Sequence, residues 1–325
     1  MNAPSPKGIS VIICSRNSGQ QLQATVRHLK AQVLPAGIPW ELVLVDNNSD
    51  DDTLACMQRL KADSPDLRIT VTGEDKAGIM HARLHGIRTA TYCYTIFCDD
   101  DNHLAPNYLA VAYAIMEKHP EVGIAGGQNR AQLNTAAPDW FESVQHDYAV
   151  GMQANRTGDV SLTRKYIWGA GMVTRRDVLT GILDRSSEFL LSGRFPGSFA
   201  SGEDTEICKW FLLSGYRLRY DSELKLDHCI KSERLTREYY EKLKEGHQAA
   251  YRKLLIYDFL IDCRRDRIKP NRLRGLNFLI KCQWKQVRRK KSSFKNRLKA
   301  QYHLGPQFRI SPELNKIIQR FPQTA

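Results

Sequence analysis

Acidic residues follow two apolar segments in the N-terminal half of the chain. Asp46 comes directly after the run Glu41–Val45, and the triplet Asp99–Asp101 follows the run Cys93–Cys98. Carboxylates that gather in one place repel one another unless a cation or hydrogen-bond donors lie between them. Mg²⁺ and Mn²⁺ prefer such oxygen ligands, commonly together with substrate phosphates. The acids therefore indicate a metal and phosphate site, although an aspartate triplet is also typical of a solvated turn that caps a helix.

Short β-branched runs alternate with segments of helical periodicity over the first hundred residues. Strands are predicted at Ile9–Cys14, Glu41–Val45, Leu67–Thr72 and Cys93–Cys98, with amphipathic helices between them. Strands that are apolar throughout and separated by such helices predict a mostly parallel, Rossmann-like α/β sheet covered on both faces. Because ligands bind beyond the carboxyl ends of parallel strands, we expect the acids to line one edge of this sheet.

The order of the motifs resembles the nucleotide-sugar half of family 2 glycosyltransferases, which have the GT-A fold. The resemblance covers roughly residues 8–232, and several motifs in the correct order are much more specific than one alone. It is carried by the segments Ile9–Asn17, Leu44–Thr53, Ala82–Ala90, Ile96–Asp101, Trp168–Leu179 and Ser201–Ile207, followed by Gly215–Tyr216 and His228.

The resemblance implies a nucleotide-sugar site at the edge of the sheet. Asp46 corresponds to the carboxylate that accepts a hydrogen bond from the base, and Asp99 to the acid that contacts ribose. Asp101 corresponds to the second acid of the D-x-D motif, which binds Mg²⁺ or Mn²⁺ bridging the diphosphate. Arg83 corresponds to a helical arginine near the base, although an exposed helix charge is an alternative interpretation. Ser15 and Asp100 complete the implied nucleotide-sugar-binding set.

The Glu-Asp motif supplies the expected catalytic acids. Transfer of a sugar to a hydroxyl needs a carboxylate that takes the acceptor proton, and the resemblance gives this role to Asp204. Glu203 is expected to orient Asp204 or to exchange roles with it. One base and in-line attack imply inversion at the anomeric carbon. The same acids also fit the first turn of a helix that runs to Leu213, where they favour the helix dipole.

Two further features of the body have both a functional and a structural interpretation. In related enzymes a histidine at the position of His228 completes the metal shell, with Asp227 as a candidate to orient its other nitrogen. A lone histidine on a strand is equally typical of a satisfied structural residue. The aromatic residues at Trp140–Phe141, His146–Tyr148 and Trp168 are suited to stacking on an acceptor sugar, but core packing explains them as well.

The charge is concentrated in the last third of the 325 residues. Residues 1–230 carry a formal net charge of −4, whereas residues 231–325 carry 25 basic and 8 acidic residues, a net +17. We therefore divide the chain into a GT-A domain, 1–232, and a basic helical C-terminal extension, 233–325. Within the extension, residues 273–287 predict a basic amphipathic helix that either lies on an anionic membrane or packs on the body.

Composition excludes several classes of protein. With 42% hydrophobic and 26% charged residues the chain is neither a disordered nor a fibrous protein. No apolar run approaches the roughly 18 residues that a membrane helix requires, and the pattern of the N-terminal residues predicts no signal peptide. The eight cysteines form no C-x-x-C pair and mostly lie in apolar runs. We expect reduced thiols in a cytoplasmic protein, with peripheral membrane contact as an option.

These observations favour a metal-dependent, inverting glycosyltransferase for polysaccharide or glycolipid assembly. The resembling family makes a UDP-sugar the expected donor, and a saccharide or lipid-linked hydroxyl is the expected acceptor. One alternative is a non-enzymatic nucleic-acid-binding protein whose basic tail contacts phosphates. A second is a nucleotidyltransferase, which also uses carboxylates and a metal but accounts less well for Asp204 and the motifs after it.

Overall fold

The computed structural model describes residues 4–185, 188–194, 197–267 and 320–321. The chain divides into two compact units, Met1–His247 and Gln248–Ala325. In the described parts of the chain, no helix has the length and apolar character needed to cross a bilayer. The predicted amphipathic helix at 273–287 lies outside the described residues.

Strands and helices alternate through the first unit, and most bounds fall within a few residues of those expected. The N-terminal elements are β1 (Ile9–Ser15), α1 (Gly19–Lys30), β2 (Trp40–Asp46), α2 (Thr53–Ala62), β3 (Ile69–Gly73), α3 (Ile79–Thr89), β4 (Tyr94–Phe97), β5 (Asn102–Leu104) and α4 (Tyr108–Lys118). The remaining elements are β6 (Val122–Leu133), β7 (Gly158–Asp159), β8 (Met172–Arg175), α5 (Arg176–Arg185), α6 (Glu203–Leu213), β9 (Arg217–Ile230) and α7 (Arg237–Arg265).

One nine-stranded sheet organises the first unit. Its strand order is β3-β2-β1-β4-β8-β6-β9-β5, and β7 pairs with β9. The four strands β3-β2-β1-β4 are parallel to one another. Antiparallel pairs involving β8, β5 and β7 extend the sheet, while β6 and β9 run parallel. The predicted α/β class with a helix-flanked, mostly parallel sheet is confirmed.

Helices cover both faces of the parallel strands, which explains why those strands are apolar at every position. All seven residues of β1 are buried. Val11 and Leu44 belong to a core cluster with Leu22 of α1 on one face. On the other face α3 approaches closely, because a Cβ added at Gly86 would lie 2.5 Å from the side chain of Ile12. Burial on both faces removes the alternation of polar and apolar residues that a one-sided sheet shows.

Two glycines set element boundaries near the site. Helix α3 begins at Ile79, because Gly78 has a φ of +124° that a helix does not accommodate. The glycine-containing segment from Trp168 becomes a strand only at Met172, after Gly171 at φ +72°. The Tyr108 hydroxyl donates to the Gly171 carbonyl at 2.6 Å, which fixes this turn against α4.

The cysteines behave as reduced core residues. Seven lie in the described parts of the chain, and all seven are free thiols. Five of them are buried. Burial raises the pKa of Cys14 and Cys208 to about 12, so these thiols stay protonated and unreactive near neutral pH.

Candidate active site

The carboxyl ends of β1, β2 and β4 bring several predicted site residues to one edge of the sheet. Asp46 ends β2 and pairs in register with Ser15, which ends β1. The Ser15 hydroxyl donates to Oδ2 of Asp100, in the turn after β4, at 2.8 Å. The register of the parallel strands therefore gathers residues that are more than 80 positions apart in the chain.

Asp46 has one carboxylate oxygen without a partner. Its Oδ2 accepts a hydrogen bond from the backbone N–H of Ser49 at 3.3 Å. Its Oδ1 is buried and has no hydrogen-bond partner in the described structure. A buried acceptor left unpaired costs about 1–3 kcal/mol, so this oxygen suits a ligand that brings an N–H donor.

Asp100 is turned toward the loop between β1 and α1. Besides Ser15, the Ser18 hydroxyl donates to its Oδ2, and the Thr25 hydroxyl donates to its backbone carbonyl at 2.7 Å. Burial and the neighbouring Asp101 raise the pKa of Asp100 to about 7, and the serine hydroxyls oppose this shift. These bonds give Asp100 a positioning role for the loop, and its contact with a nucleotide sugar stays a prediction.

A buried arginine joins two acids that come from distant motifs. Nη2 of Arg83 donates to Oδ1 of Asp99 at 3.2 Å, and its Nη1 donates to Oε1 of Glu203 at 3.3 Å. The Arg83 side chain is only 5% exposed, so the alternative of a solvated helix charge is wrong. Burial alone would lower the pKa of Arg83, but the two carboxylates raise it above its ordinary value. The α3 arginine therefore holds the D-x-D and Glu-Asp motifs together.

Glu203 and Asp204 open helix α6 with different environments. Burial, reinforced by the nearby Asp204, raises the pKa of Glu203, and Arg83 opposes this effect. Oε2 of Glu203 is buried and finds no hydrogen-bond partner among the residues that the structure describes. Oδ2 of Asp204 accepts the backbone N–H of Gly169 at 2.8 Å, and its Oδ1 accepts that of Thr205 at 2.6 Å. The Asp204 carboxylate is thus fixed in orientation beside the Glu203–Arg83–Asp99 chain of ion pairs.

Gly169 separates Arg83 from Asp204 and leaves no room for a side chain. A Cβ added there would lie 2.8 Å from Nη2 of Arg83. The peptide of Gly169 therefore contacts the guanidinium while its N–H bonds the carboxylate of Asp204. Absence of a side chain allows this close approach.

The Asp101 carboxylate contacts two side chains, His228 near the end of β9 and Arg234 in the turn after it. Nε2 of His228 is 3.4 Å from Oδ2 of Asp101, and Nη1 of Arg234 donates to the same oxygen at 3.0 Å. Burial alone would raise the pKa of Asp101, but His228 and Arg234 hold it below its usual range. Nδ1 of His228 is buried and has no partner in the described structure.

Asp227 does not orient His228, contrary to the expectation. Its carboxylate accepts hydrogen bonds from Nε of Arg130 at 2.8 Å and from Nη2 at 2.9 Å. Successive residues of a strand point to opposite faces of the sheet, so Asp227 and His228 face different ways.

The donor atoms at Asp101 and His228 fit a divalent cation. A carboxylate oxygen and an imidazole nitrogen lie side by side, and diphosphate oxygens can supply the remaining ligands. The described residues contain no group of three or more His, Cys, Asp or Glu side chains arranged to hold a metal. The protein can therefore contribute two ligands here, and the substrate would have to contribute the others.

The aromatic residues divide between core and site. Phe141 and Tyr148 are 4% and 2% exposed and belong to one hydrophobic cluster, as the packing interpretation predicted. Trp140 packs against Tyr240 in a tilted arrangement with ring centroids 5.8 Å apart. Trp168 immediately precedes Gly169, so it alone of these aromatics is adjacent in sequence to the backbone that holds Asp204.

Sequence reasoning missed three polar residues that contact these groups. Arg234 lies beyond the predicted domain boundary, and no spacing rule connects it to Asp101. Gln153 and Arg164 lie in the stretch where no motif is recognisable. The Gln153 side chain accepts the Trp168 N–H at 2.9 Å and donates to the Gly127 carbonyl at 2.8 Å. Only long-range folding brings these residues to the site.

Comparisons with known proteins agree with this architecture. The model of the family described as "Glycosyl transferase family 2" matches residues 10–182, more than half of the chain. A comparison with curated proteins finds none that matches.

Solved structures share the fold at low sequence identity. S. aureus TarS 1–349 in complex with UDP has a TM-score of 0.58 at 15% identity, covering 97% of this chain and 88% of that chain. The complex of TarS 1–349 with UDP-GlcNAc has a TM-score of 0.55 at 18% identity, covering 78% of this chain and 66% of that chain. The mannosyltransferase PcManGT of Pyrobaculum calidifontis, in complex with GDP-Man and Mn²⁺, has a TM-score of 0.51 at 16% identity, covering 98% and 88%.

The match does not extend over the whole of the larger neighbour, since this chain covers 40% of the full TarS structure. On the extent of the family match, the chain belongs to glycosyltransferase family 2.

Proposed function

We propose that the protein transfers a sugar from a nucleoside diphosphate sugar to a hydroxyl group of an acceptor, with inversion at the anomeric carbon. The observation that carries this proposal is the placement of Asp204 beside the Glu203–Arg83–Asp99 ion pairs. That placement puts a fixed carboxylate next to the acids expected to bind the donor. This arrangement of acids favours sugar transfer over nucleotidyl transfer as the reaction, because a nucleotidyltransferase needs no base in the position of Asp204.

The donor is expected to lie along the edge formed by Asp46, Asp99 and Asp101. The unpaired Oδ1 of Asp46 accepts an N–H of the base, and Asp99 accepts a ribose hydroxyl. Asp101 and His228 would hold a Mg²⁺ or Mn²⁺ ion, which, when bound, offsets the charge that develops on the departing diphosphate. The neighbouring complexes contain UDP, UDP-GlcNAc and GDP-Man, which supports a nucleotide sugar without choosing the base.

Asp204 acts on the acceptor in this proposal. Its carboxylate takes the proton of the acceptor hydroxyl as that oxygen forms a bond to the anomeric carbon. The bond between this carbon and the diphosphate oxygen breaks with its electron pair, so the nucleoside diphosphate leaves. Hydrogen bonds from Gly169 and Thr205 keep the Asp204 carboxylate in one orientation. A base that is already oriented toward the acceptor lowers the entropic part of the reaction barrier. Glu203 positions Arg83 and is not itself the base.

The donor can be identified by ligand-induced stabilisation followed by product analysis. A nucleoside diphosphate that binds only the native state raises the melting temperature, because it stabilises that state by an amount that grows with the logarithm of its concentration over its Kd. We expect UDP or GDP with Mn²⁺ to raise it, and ATP to have a smaller effect. Proton NMR of the sugar released from the corresponding donor should show the inverted anomer first. Retention of configuration, or no stabilisation by any nucleoside diphosphate, would contradict the proposal.

A further inference from the structure

Arg164 is a partly buried cation that has no carboxylate partner in the described parts of the chain. Its Nη1 donates to the Gln153 carbonyl at 3.1 Å, and its Nε is buried without a hydrogen-bond partner. Buried arginines are normally paired with an anion, because removing an unpaired charge from water is costly. Burial lowers the pKa of Arg164, and the nearby Tyr166 and Asp204 oppose this effect only in part. The Arg164 guanidinium therefore has a buried N–H that an anionic ligand could accept from, and no carboxylate of the described residues pairs with it directly.

Two aromatic rings hold this guanidinium in place. Its central carbon lies 4.2 Å from the ring centroid of Tyr166 and 4.8 Å from that of Trp168. Such cation–π contacts attract the guanidinium to the ring faces and fix its plane. They stabilise the cation only in part, since a ring quadrupole supplies no hydrogen-bond acceptor.

The backbone around Arg164 is anchored to the sheet, so its position is defined. The N–H groups of Arg164 and Lys165 both donate to the Val160 carbonyl at 3.0 Å. The Val160 N–H donates in turn to Leu218 of β9 at 2.9 Å. Gln153 accepts from both the Arg164 side chain and the Trp168 backbone, which links the turn to the next segment.

The same segment leads directly to the proposed base. Trp168 contacts Arg164 through its ring, and the next residue, Gly169, donates its N–H to Asp204 at 2.8 Å. On its other side Gly169 packs against Arg83, which belongs to the donor side of the site. Arg164 is therefore linked through the Trp168 ring to the backbone that holds Asp204, and the Asp204 carboxylate is close enough to oppose the lowering of the Arg164 pKa by burial.

We propose that Arg164 binds an anionic group of the acceptor, so that the acceptor is a saccharide or polyol bearing a phosphate or a carboxylate near its reactive hydroxyl. The assignment rests on the proposed function, because it takes Asp204 as the base. Arg164 holds the anion, and the partly exposed Tyr166 offers apolar surface for the attached ring or chain. The cation also offsets repulsion between the acceptor anion and the Asp204 carboxylate.

Matched pairs of small probes test the proposal without any donor present. Affinities of sn-glycerol 3-phosphate against glycerol, and of glucuronate against glucose, are measured by ligand-observed NMR at constant ionic strength. We expect an anionic probe to bind the full chain at least about tenfold more tightly than its neutral partner. The phosphate and carboxylate pairs show which of the two anions is preferred.

Variants of Arg164 show whether this residue produces the preference. R164Q should reduce the ratio to about one, whereas R164K should keep part of it because the charge remains. R130Q is the matched control, since Arg130 is 81% exposed and pairs with Asp227. A ratio near one in the unmodified protein, or an unchanged ratio in R164Q, would overturn the proposal.

Chemical modification covers the case in which R164Q fails to fold. Phenylglyoxal reacts with arginine, and peptide mass spectrometry of the full chain reports modification at each position. We expect inorganic phosphate to protect Arg164 and to leave Arg130 unprotected, and equal modification with and without phosphate would contradict the assignment. Because neither measurement uses a nucleotide sugar, a failure of the proposed function would appear separately, as loss of donor binding with anion binding intact.

Discussion

At the scale of single residues, the site is marked by buried polar atoms that lack partners. Oδ1 of Asp46, Oε2 of Glu203 and Nδ1 of His228 are all buried and unpaired in the described structure. Such atoms are rare in native proteins, because each costs free energy that a ligand or water can recover. All three belong to residues with an expected role: Asp46 in donor binding, Glu203 in the catalytic Glu-Asp motif and His228 in metal binding. Other buried polar atoms without a partner, such as the hydroxyls of Ser214 and Tyr220, lie at residues without a proposed role, so the ligand contacts of these three atoms stay a proposal.

Substitution of Asp46 tests the contact with the base. Asp46→Asn removes the charged acceptor, so we expect affinity for the nucleoside diphosphate to fall about 10- to 100-fold. Isothermal titration with the nucleotide in Mn²⁺ measures the change. Asp66→Asn, an exposed aspartate on the surface, should leave the affinity unaltered. Equal affinities in the two variants would remove Asp46 from the donor site.

Substitution of Arg83 tests the ion-paired chain as a structural unit. Arg83→Met leaves the carboxylates of Asp99 and Glu203 without their buried partner, so we expect the free energy of unfolding to fall by about 3–5 kcal/mol. Urea denaturation monitored by fluorescence measures this loss. Arg130→Met should change stability by less than about 1 kcal/mol, because the Arg130 ion pair is on the surface. A loss that small in Arg83→Met would show that the pairs do not hold the motifs together.

At the scale of elements, glycines decide how closely β6 approaches its neighbour. A Cβ added at Gly127 would lie 1.6 Å from the Leu224 carbonyl of β9, at an irregularity in the β6–β9 register. Because the obstacle is backbone, we expect Gly127→Ala to destabilise the fold by the upper part of the ~1–3 kcal/mol range for overpacking.

The matched control for this prediction is Gly181 in α5, where an added Cβ meets nothing within 4 Å. Gly181→Ala should stabilise the protein by about 0.5–1 kcal/mol, since alanine has the higher helix propensity. Thermal and urea unfolding compare the two variants, and opposite signs are the expected result. A neutral Gly127→Ala would mean that β6 and β9 can separate without cost.

The elements that the sequence predicted are those with a local signal. Strands β1 to β4 and helices α1 to α3 follow from apolar runs and helical spacing, which nearby residues determine. The antiparallel position of β8 between β4 and β6 depends on pairing between distant segments, which no local pattern reports. The start of α3 at Ile79 depends on the φ of Gly78, which the sequence permits but does not dictate.

The candidate site residues also divide into those with a local sequence signal and those without one. Asp46, Asp99, Asp101 and Asp204 were recognisable because each follows or opens an element in a known order. The orientation of Asp100 toward the loop between β1 and α1 could not be predicted, because three adjacent aspartates are equivalent in sequence until a turn fixes their directions. Arg234 and Arg164 reach the site through tertiary packing, so their roles had no signal in the spacing of residues.

At the scale of the whole molecule, charge separates the body from the C-terminal third. Residues 231–325 carry a formal net charge of +17, and most of this segment lies outside the described residues. We predict that the full chain binds vesicles containing about 30% anionic lipid and releases them at high salt, since each basic residue near such a surface contributes ~1 kcal/mol. Co-sedimentation measures binding, with neutral phosphatidylcholine vesicles as control. Equal binding to both kinds of vesicle would contradict an electrostatic contact.

We propose that Asp204 removes the acceptor proton next to a donor held by the strand-end acids. Single-turnover transfer with saturating donor tests it in the unmodified protein, in Asp204→Asn and in Glu203→Gln, with nucleotide affinity measured on each. The account predicts that Asp204→Asn lowers the rate by about 10²–10⁴-fold while nucleotide affinity stays within a few fold, and that Glu203→Gln loses less. A rate in Asp204→Asn equal to that of the unmodified protein would contradict the account.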